Sequence, residues 1–327
     1  MPTSSTSADA GAAPVLIDAH THIGADVFFY LNGFFPYCQD WQTLVHHGEQ
    51  NGIGKFVVFP MVSNLSLSFE KMAAGKISSN GGLRKVPYQF ENRRLMTEID
   101  VLFPEYSDRA LPLWMVDPGR EQEAQVAEMR KLNEEFRCCG LKIQATIIQS
   151  KISDLLGPGR CLIDYAEEKN LPVLIHTSVY PEDPWSPVAD ILAVAEAWPN
   201  VRFNLAHSCR FDRPSLDRIA ELPNAWFDCS AHRIHCDLAV QGSLAVACGD
   251  RRFPSDYRDP VQVLGDLAQA YPDKLLWGSD APFESYVDRE MQLRSSYREE
   301  ADTLHALGRE TVIRISHTNN LAFLNGV

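Results

Sequence analysis

Two histidines separated by a single residue close an apolar run near the start of the chain, Val15-Leu16-Ile17-Asp18-Ala19-His20-Thr21-His22. In an extended strand, side chains i and i+2 share a face. His20 and His22 therefore project side by side from the end of a strand that its apolar neighbours bury. Two adjacent imidazoles suit a bound metal ion. Three further apolar runs also end in metal-capable groups: Val173-Leu174-Ile175-His176, Arg202-Phe203-Asn204-Leu205-Ala206-His207 and Leu275-Leu276-Trp277-Gly278-Ser279-Asp280. A lone histidine at a strand end is more often structural than a ligand, and Asp280 by itself would also suit a cap for the segment after it. The repetition carries the argument. Several strands that each end in such a side chain give the geometry of an enzyme site at the C-terminal mouth of a parallel barrel.

Imidazole and carboxylate are the donor set of catalytic zinc, and they also suit manganese or iron. A catalytic site of this kind keeps one position open, and the pKa of a bound water falls towards about 7. Asp280 is then placed to take and return a proton.

These residues need a scaffold, and the apolar pattern supplies one. Eight candidate strands recur: 15–19, 55–60, 111–116, 140–143, 172–176, 201–206, 225–229 and 274–277. Amphipathic stretches fall between most of them, at 41–51, 121–136, 159–169, 187–198, 213–221 and 260–271. Continuous apolar strands separated by helices argue for parallel pairing covered on both faces. Eight such units close into a (β/α)8 barrel. Pro172, Pro199 and Pro272 sit just before strands and mark the turns of the rim away from the ligands. Longer loops, 23–40, 61–88 and 232–259, fall on the ligand side, as lids and substrate walls do. The first is aromatic, and Phe28, Phe34 and Tyr37, with Trp185 further on, are candidates to line a pocket for a planar or apolar substrate. Residues 288–307 read as a charged helix and 310–323 as a final helix. The expected organisation is a disordered tail over 1–14, followed by one barrel domain over 15–327 with extended active-site loops.

Composition narrows the partners. The 327 residues carry a formal net charge of −13, and that charge argues against nucleic acid and anionic membrane surfaces as partners. No apolar run approaches the roughly 18 residues of a membrane span, and the small polar tail has no secretory pattern. Eight cysteines form no Cys-x-x-Cys pair, which reads as reduced thiols in a cytoplasmic protein. No glycine-rich nucleotide fingerprint appears. The partner expected from this pattern is a small molecule.

The segments Asp18-Ala19-His20-Thr21-His22, Leu171-Pro172-Val173-Leu174-Ile175-His176-Thr177, Asn204-Leu205-Ala206-His207, Leu276-Trp277-Gly278-Ser279-Asp280-Ala281-Pro282 and Asn319-Asn320-Leu321-Ala322 together resemble the amidohydrolase superfamily. The likeness is to its amidohydrolase-related branch of TIM-barrel metal-dependent hydrolases and decarboxylases, and it runs from about residue 15 to 325. The resemblance implies a distorted barrel with one divalent ion at its mouth, held by His20, His22, His176 and Asp280. It makes Asp280 the group that activates water and His207 an electrophile, an acid or a ligand to a second ion. It also raises Lys142, on strand 140–143, as a carboxylated bridge between two ions. That branch often has His-Pro after this strand, where this chain has Gln144-Ala145. A single ion, zinc before manganese or iron, with Lys142 structural or substrate-facing, is the simpler expectation. Fold analogy also allows a homo-oligomer.

Hydrolysis of an amide, cyclic amide or lactone by activated water is the leading expectation. The alternative is non-oxidative decarboxylation of an aromatic or dienoic acid, as in aminocarboxymuconate-semialdehyde decarboxylase and resorcylate-type enzymes of the same branch. A decarboxylase needs a cationic anchor, for which Arg84, Arg93, Arg94 and Arg210 are candidates. A binding protein on the same barrel is the third class, and the intact set of polar groups argues against it.

Overall fold

The computed structural model describes residues 13–26, 38–62, 86–288 and 290–326. Residues 1–12 of the expected tail, the residues Phe28, Phe34 and Tyr37, and Arg84 lie outside the described residues. Nine strands form one curled sheet in the order β2-β1-β3-β4-β5-β6-β7-β8-β9. The strands are β1 Leu16–Ala25, β2 Cys38–Gln39, β3 Ile53–Pro60, β4 Ala110–Met115, β5 Gly140–Ile143, β6 Val173–Ile175, β7 Phe203–Leu205, β8 Ala225–Asp228 and β9 Leu275–Leu276. All pairings are parallel except that of the short β2 against β1. The eight parallel strands are those expected from the apolar runs. With helices around them they make a distorted TIM barrel.

The parallel strands are nearly continuous runs of Val, Ile, Leu and Phe because both faces are covered. Val57, Leu113 and Leu174 fill the interior cluster, whereas Val58, Trp114 and Ile175 pack outwards against helices. The helices begin where the sequence supplies caps. Asp40, Asp212 and Asp259 each accept backbone N–H groups at the starts of helices Trp41–Gln50, Arg213–Glu221 and Pro260–Ala270.

Three readings needed correction. β1 continues through both histidines to Ala25 rather than stopping at Ala19. The stretch expected to be a charged helix begins with a two-stranded hairpin, Tyr286–Val287 against Leu293–Arg294, and only Tyr297–His305 is helical. The long connection 232–259 contains the helix His232–Val240. In the first two cases backbone pairing with a neighbour overrode the local pattern.

The barrel closes where the chain after β9 meets β1. Ala19 N donates to Trp277 O at 3.0 Å, His22 N to Ala281 O at 2.7 Å and Asp280 N to His20 O at 2.8 Å. Gly278 is required at this seam. A Cβ there would stand 2.9 Å from His20 Cβ and 3.1 Å from His20 N. Gly278→Ala is expected to force β1 and the β9 extension apart, costing about 1–3 kcal/mol. Chemical denaturation will check this: an unchanged midpoint would mean that the seam tolerates the methyl group.

Candidate active site

β1 carries His20 and His22 to the C-terminal mouth, and the turn after β9 brings Asp280 against them. His20 Nε2 lies 3.1 Å and His22 Nε2 3.4 Å from the same Asp280 oxygen. The nearest ligand atoms of the three residues fall within 4.8 Å of one another. Tautomers follow from the other ring nitrogens. His20 Nδ1 donates to Asp228 Oδ2 at 3.0 Å, and His22 Nδ1 donates to Pro60 O at 3.2 Å. Both Nε2 atoms therefore present lone pairs to a carboxylate. Three acceptors converging on one point repel one another unless a cation or a proton lies among them, and this donor set fits a divalent ion. The rings are held rigidly, with Phe59 edge-on to His20 at 5.0 Å and to His22 at 4.4 Å, and Phe283 perpendicular to His22 at 5.1 Å.

His176 and His207 face the same cavity, of about 320 Å³. They form a directed chain. Arg210 donates to His176 Nε2 at 3.1 Å, and His176 Nδ1 donates to His207 Nε2 at 3.0 Å. His207 Nδ1 donates to Ser230 Oγ at 2.8 Å, and Ser230 Oγ donates to Asp228. His176 thus shares the cavity with the tight His20–His22–Asp280 group but stands outside it. His207 Nδ1 is 3.9 Å from the second Asp280 oxygen.

Asp228 is the residue that sequence reasoning missed. It ends β8, and its carboxylate accepts from His20, from Asn204 Nδ2 at 2.8 Å, and from the backbone N–H groups of His207 and Ser230 at 3.1 and 3.0 Å. The signal was present as an acid at a strand tip, in Phe227-Asp228-Cys229-Ser230. His235 was also overlooked. It lies on the helix after β8 and accepts from Arg210.

Electrostatics follow from burial. Burial pushes the Asp280 carboxyl up, but the His20, His207 and His22 imidazoles around it hold it well below the usual carboxylate range. Burial lowers His22 to about 4 and, with Arg210 nearby, lowers His176 and His207 well below the ordinary imidazole value. These rings are neutral at pH 7, as metal donors must be. Burial lowers the Lys142 ammonium to about 7. Its Nζ donates to His20 Nε2 at 3.1 Å and lies 4.6 Å from the centre of the Phe59 ring. Lys142 therefore points at the same lone pair that would bind an ion.

Of the described arginine candidates, Arg93 pairs with Glu135 and Arg94 with Glu98, away from the cavity. Arg210 borders the cavity, and burial lowers its guanidinium to about 10. Among the described residues its hydrogen bonds go to Thr177 O at 2.9 Å, to His176 and to His235, not to a carboxylate. The chain reaches it through an unusual segment: His207 to Phe211 all have positive φ, between 47° and 61°. Left-handed backbone costs L residues about 1–2 kcal/mol each. Ala247 N and Phe253 N donate to Arg210 O and Phe211 O at 2.8 and 2.9 Å and hold the segment in place. Trp185 does not border the cavity; it packs against the outer core.

The match to the amidohydrolase family spans residues 17–325. The chain belongs to the amidohydrolase family. No curated protein sequence matches it. Among solved structures, a putative 2-pyrone-4,6-dicarboxylic acid hydrolase from Pseudomonas putida superposes with a TM-score of 0.58 at 16% identity, over 96% of this chain and 98% of that one. A 2,6-dihydroxybenzoate decarboxylase complexed with 2,6-dihydroxybenzoate gives 0.59 at 13% identity, over 95% and 99%. A dihydroxybenzoic acid decarboxylase from Polaromonas sp. JS666, with bound manganese and 2-nitroresorcinol, also gives 0.59 at 13%, over 95% and 97%. Identities this low support the barrel alone. No described helix is long and apolar enough to cross a membrane.

Two outcomes are expected. Asp228→Asn keeps the shape of the side chain but weakens the hold on His20 Nδ1, so divalent-ion affinity should fall about 10–100-fold. Calorimetric titration with zinc will read this, and wild-type affinity would remove Asp228 from the site. His232, on the helix beside the cavity, donates to Pro260 O at 2.8 Å, and burial lowers it to about 4 from 6.5. The unfolded chain binds this proton first, so stability is lost as pH falls from about 6.5 to about 4. In urea titrations across that range, His232→Gln should show a shallower loss; an identical slope would contradict the assignment.

Proposed function

We propose that this protein is a metal-dependent hydrolase that opens a lactone, amide or cyclic amide in a small substrate carrying a carboxylate. The supporting observation is the convergence of two imidazole lone pairs and the Asp280 carboxylate beside a guanidinium that has no carboxylate partner among the described residues. His20, His22 and Asp280 would hold one divalent ion, with His176 as the further donor and zinc as the proposed metal. When bound, such an ion polarises a carbonyl and lowers the pKa of water.

The chain's own groups account for the rest. Asp280, kept ionised by its imidazoles, takes a proton from the attacking water and returns one to the leaving group. His207 stands beside it to stabilise charge developing on the carbonyl oxygen. Arg210 binds the substrate carboxylate through N–H groups that His176 and His235 now accept. Lys142 keeps an N–H donor against His20. The dicarboxylate named for the Pseudomonas putida structure is an example of the substrate class.

A second reading, decarboxylation of an aromatic acid, draws on the same Arg210 and on the decarboxylases of similar fold. The two differ in product. Zinc- or manganese-loaded protein should convert carboxylated lactones or cyclic amides to acid without carbon dioxide. Carbon dioxide from dihydroxybenzoates, with no acid from lactones, would establish the second reading instead. Arg210→Gln should raise KM for the carboxylated substrate about 100-fold while leaving its neutral ester analogue unchanged. His176→Ala should remove both bound ion and turnover; full occupancy and rate would exclude it as a donor.

A further inference from the structure

The hydrolytic chemistry leaves a group of buried acids unused. Asp18, Glu284 and Glu300 are 0%, 4% and 1% exposed, and Tyr297 among them is 4% exposed. None borders the cavity. Each acid belongs to a segment already tied to the site. Asp18 precedes His20 on β1, and its Oδ1 accepts from His20 N at 3.2 Å and Ser279 N at 2.9 Å. Glu284 lies in the turn that carries Asp280. Tyr297 and Glu300 lie on the first turn of helix Tyr297–His305. Glu300 Oε1 accepts from Arg233 N at 3.0 Å.

The remaining atoms are unsatisfied. Asp18 Oδ2, Glu284 Oε2, Tyr297 Oη, Glu300 Oε2 and Arg233 Nε have no hydrogen-bond partner in the protein. Leaving such a buried atom dry is costly. A group of them in one place is where internal water belongs, since each water needs two to four polar partners. The order of the groups is set by their neighbours. The Tyr297 hydroxyl faces Asp18 and its backbone N–H faces Glu284, and Glu284 in turn acts on Glu300. Arg233 leads out, with its side chain 32% exposed beside Glu299. Burial raises Glu284 to about 8 and Glu300 well above the usual range. Burial thus favours the protonated form of both, which donates with one oxygen and accepts with the other.

We propose that Glu284, Tyr297 and Glu300 enclose a file of buried water that carries protons between the turn bearing Asp280 and the protein surface at Arg233. Each acid takes a proton on its free oxygen as it releases the one it holds, and the phenol does the same. Each carboxyl ends with its proton on the other oxygen, a turn of the group restores it, and one proton has crossed. Opening a lactone at neutral pH yields a carboxylate, an alcohol and one proton, which must leave a site that the substrate itself plugs. The use of this route in turnover rests on the hydrolytic reading; the existence of the route does not.

The test needs no substrate. Difference infrared spectra of wild-type protein at pH 7 should show two carboxylic-acid carbonyl bands, one lost in Glu284→Gln and the other in Glu300→Gln. On transfer to deuterated water both bands should shift within seconds. In Glu300→Gln, and independently in Tyr297→Phe, exchange of the Glu284 band should slow at least tenfold. Absence of the acid bands would overturn the proposal. So would bands that exchange only on unfolding, or a Glu284 band whose exchange is unaffected in both variants. Failure of the lactone assay with these bands behaving as expected would count against the hydrolytic reading alone.

Discussion

A single buried carboxylate organises the mouth of this barrel. Asp228 accepts from His20, Asn204, Ser230 and the backbone of His207, joining β1, β7 and β8 at one point. Burial pushes its carboxyl up, yet His20 and the donors around it bring it below the ordinary value. Full satisfaction is what makes a buried charge tolerable. It also fixes which nitrogen of His20 faces the cavity, and through Ser230 it orients His207. The donor set toward Asp280 is thus a consequence of what happens on the far side of the rings.

Backbone geometry does the rest. Gly278 lets the chain after β9 lie against His20, and the left-handed segment from His207 to Phe211 turns Arg210 back to the cavity. Strain of this kind persists where surrounding contacts over-determine it. Here the carbonyls of Arg210 and Phe211 are tied to the chain near Ala247 and Phe253. Position and charge of the guanidinium are set together.

The barrel was legible because parallel strands buried on both faces read as uninterrupted apolar runs, and eight of them could be counted. The strand-tip groups were legible because a polar side chain at the end of such a run has no packing reason to be there. His20, His22 and Asp280 indeed meet. Asp228 escaped notice because its segment, Ala-Trp-Phe-Asp, carries no histidine to draw attention, although its position is equivalent. Arg210 was one of four arginines that looked alike; only the folded chain separates it from Arg93 and Arg94, whose carboxylate partners come from elements distant in sequence or one turn along a helix. The hairpin before Tyr297 was hidden because its charged residues suit a helix as well as an exposed ribbon.

The seam between β1 and the β9 extension joins positions 261 residues apart, as Ser279 N and Asp18 Oδ1 show. The donors of the site are therefore contributed by segments far apart along the polypeptide, and synthesis delivers His20 and His22 well before Asp280. His20 and His22 emerge when nothing downstream exists to complete their coordination, and the nascent chain offers a passing cation only half a binding place. Any ion the site holds would find its full set of donors only after Asp280 has been made and the seam has formed.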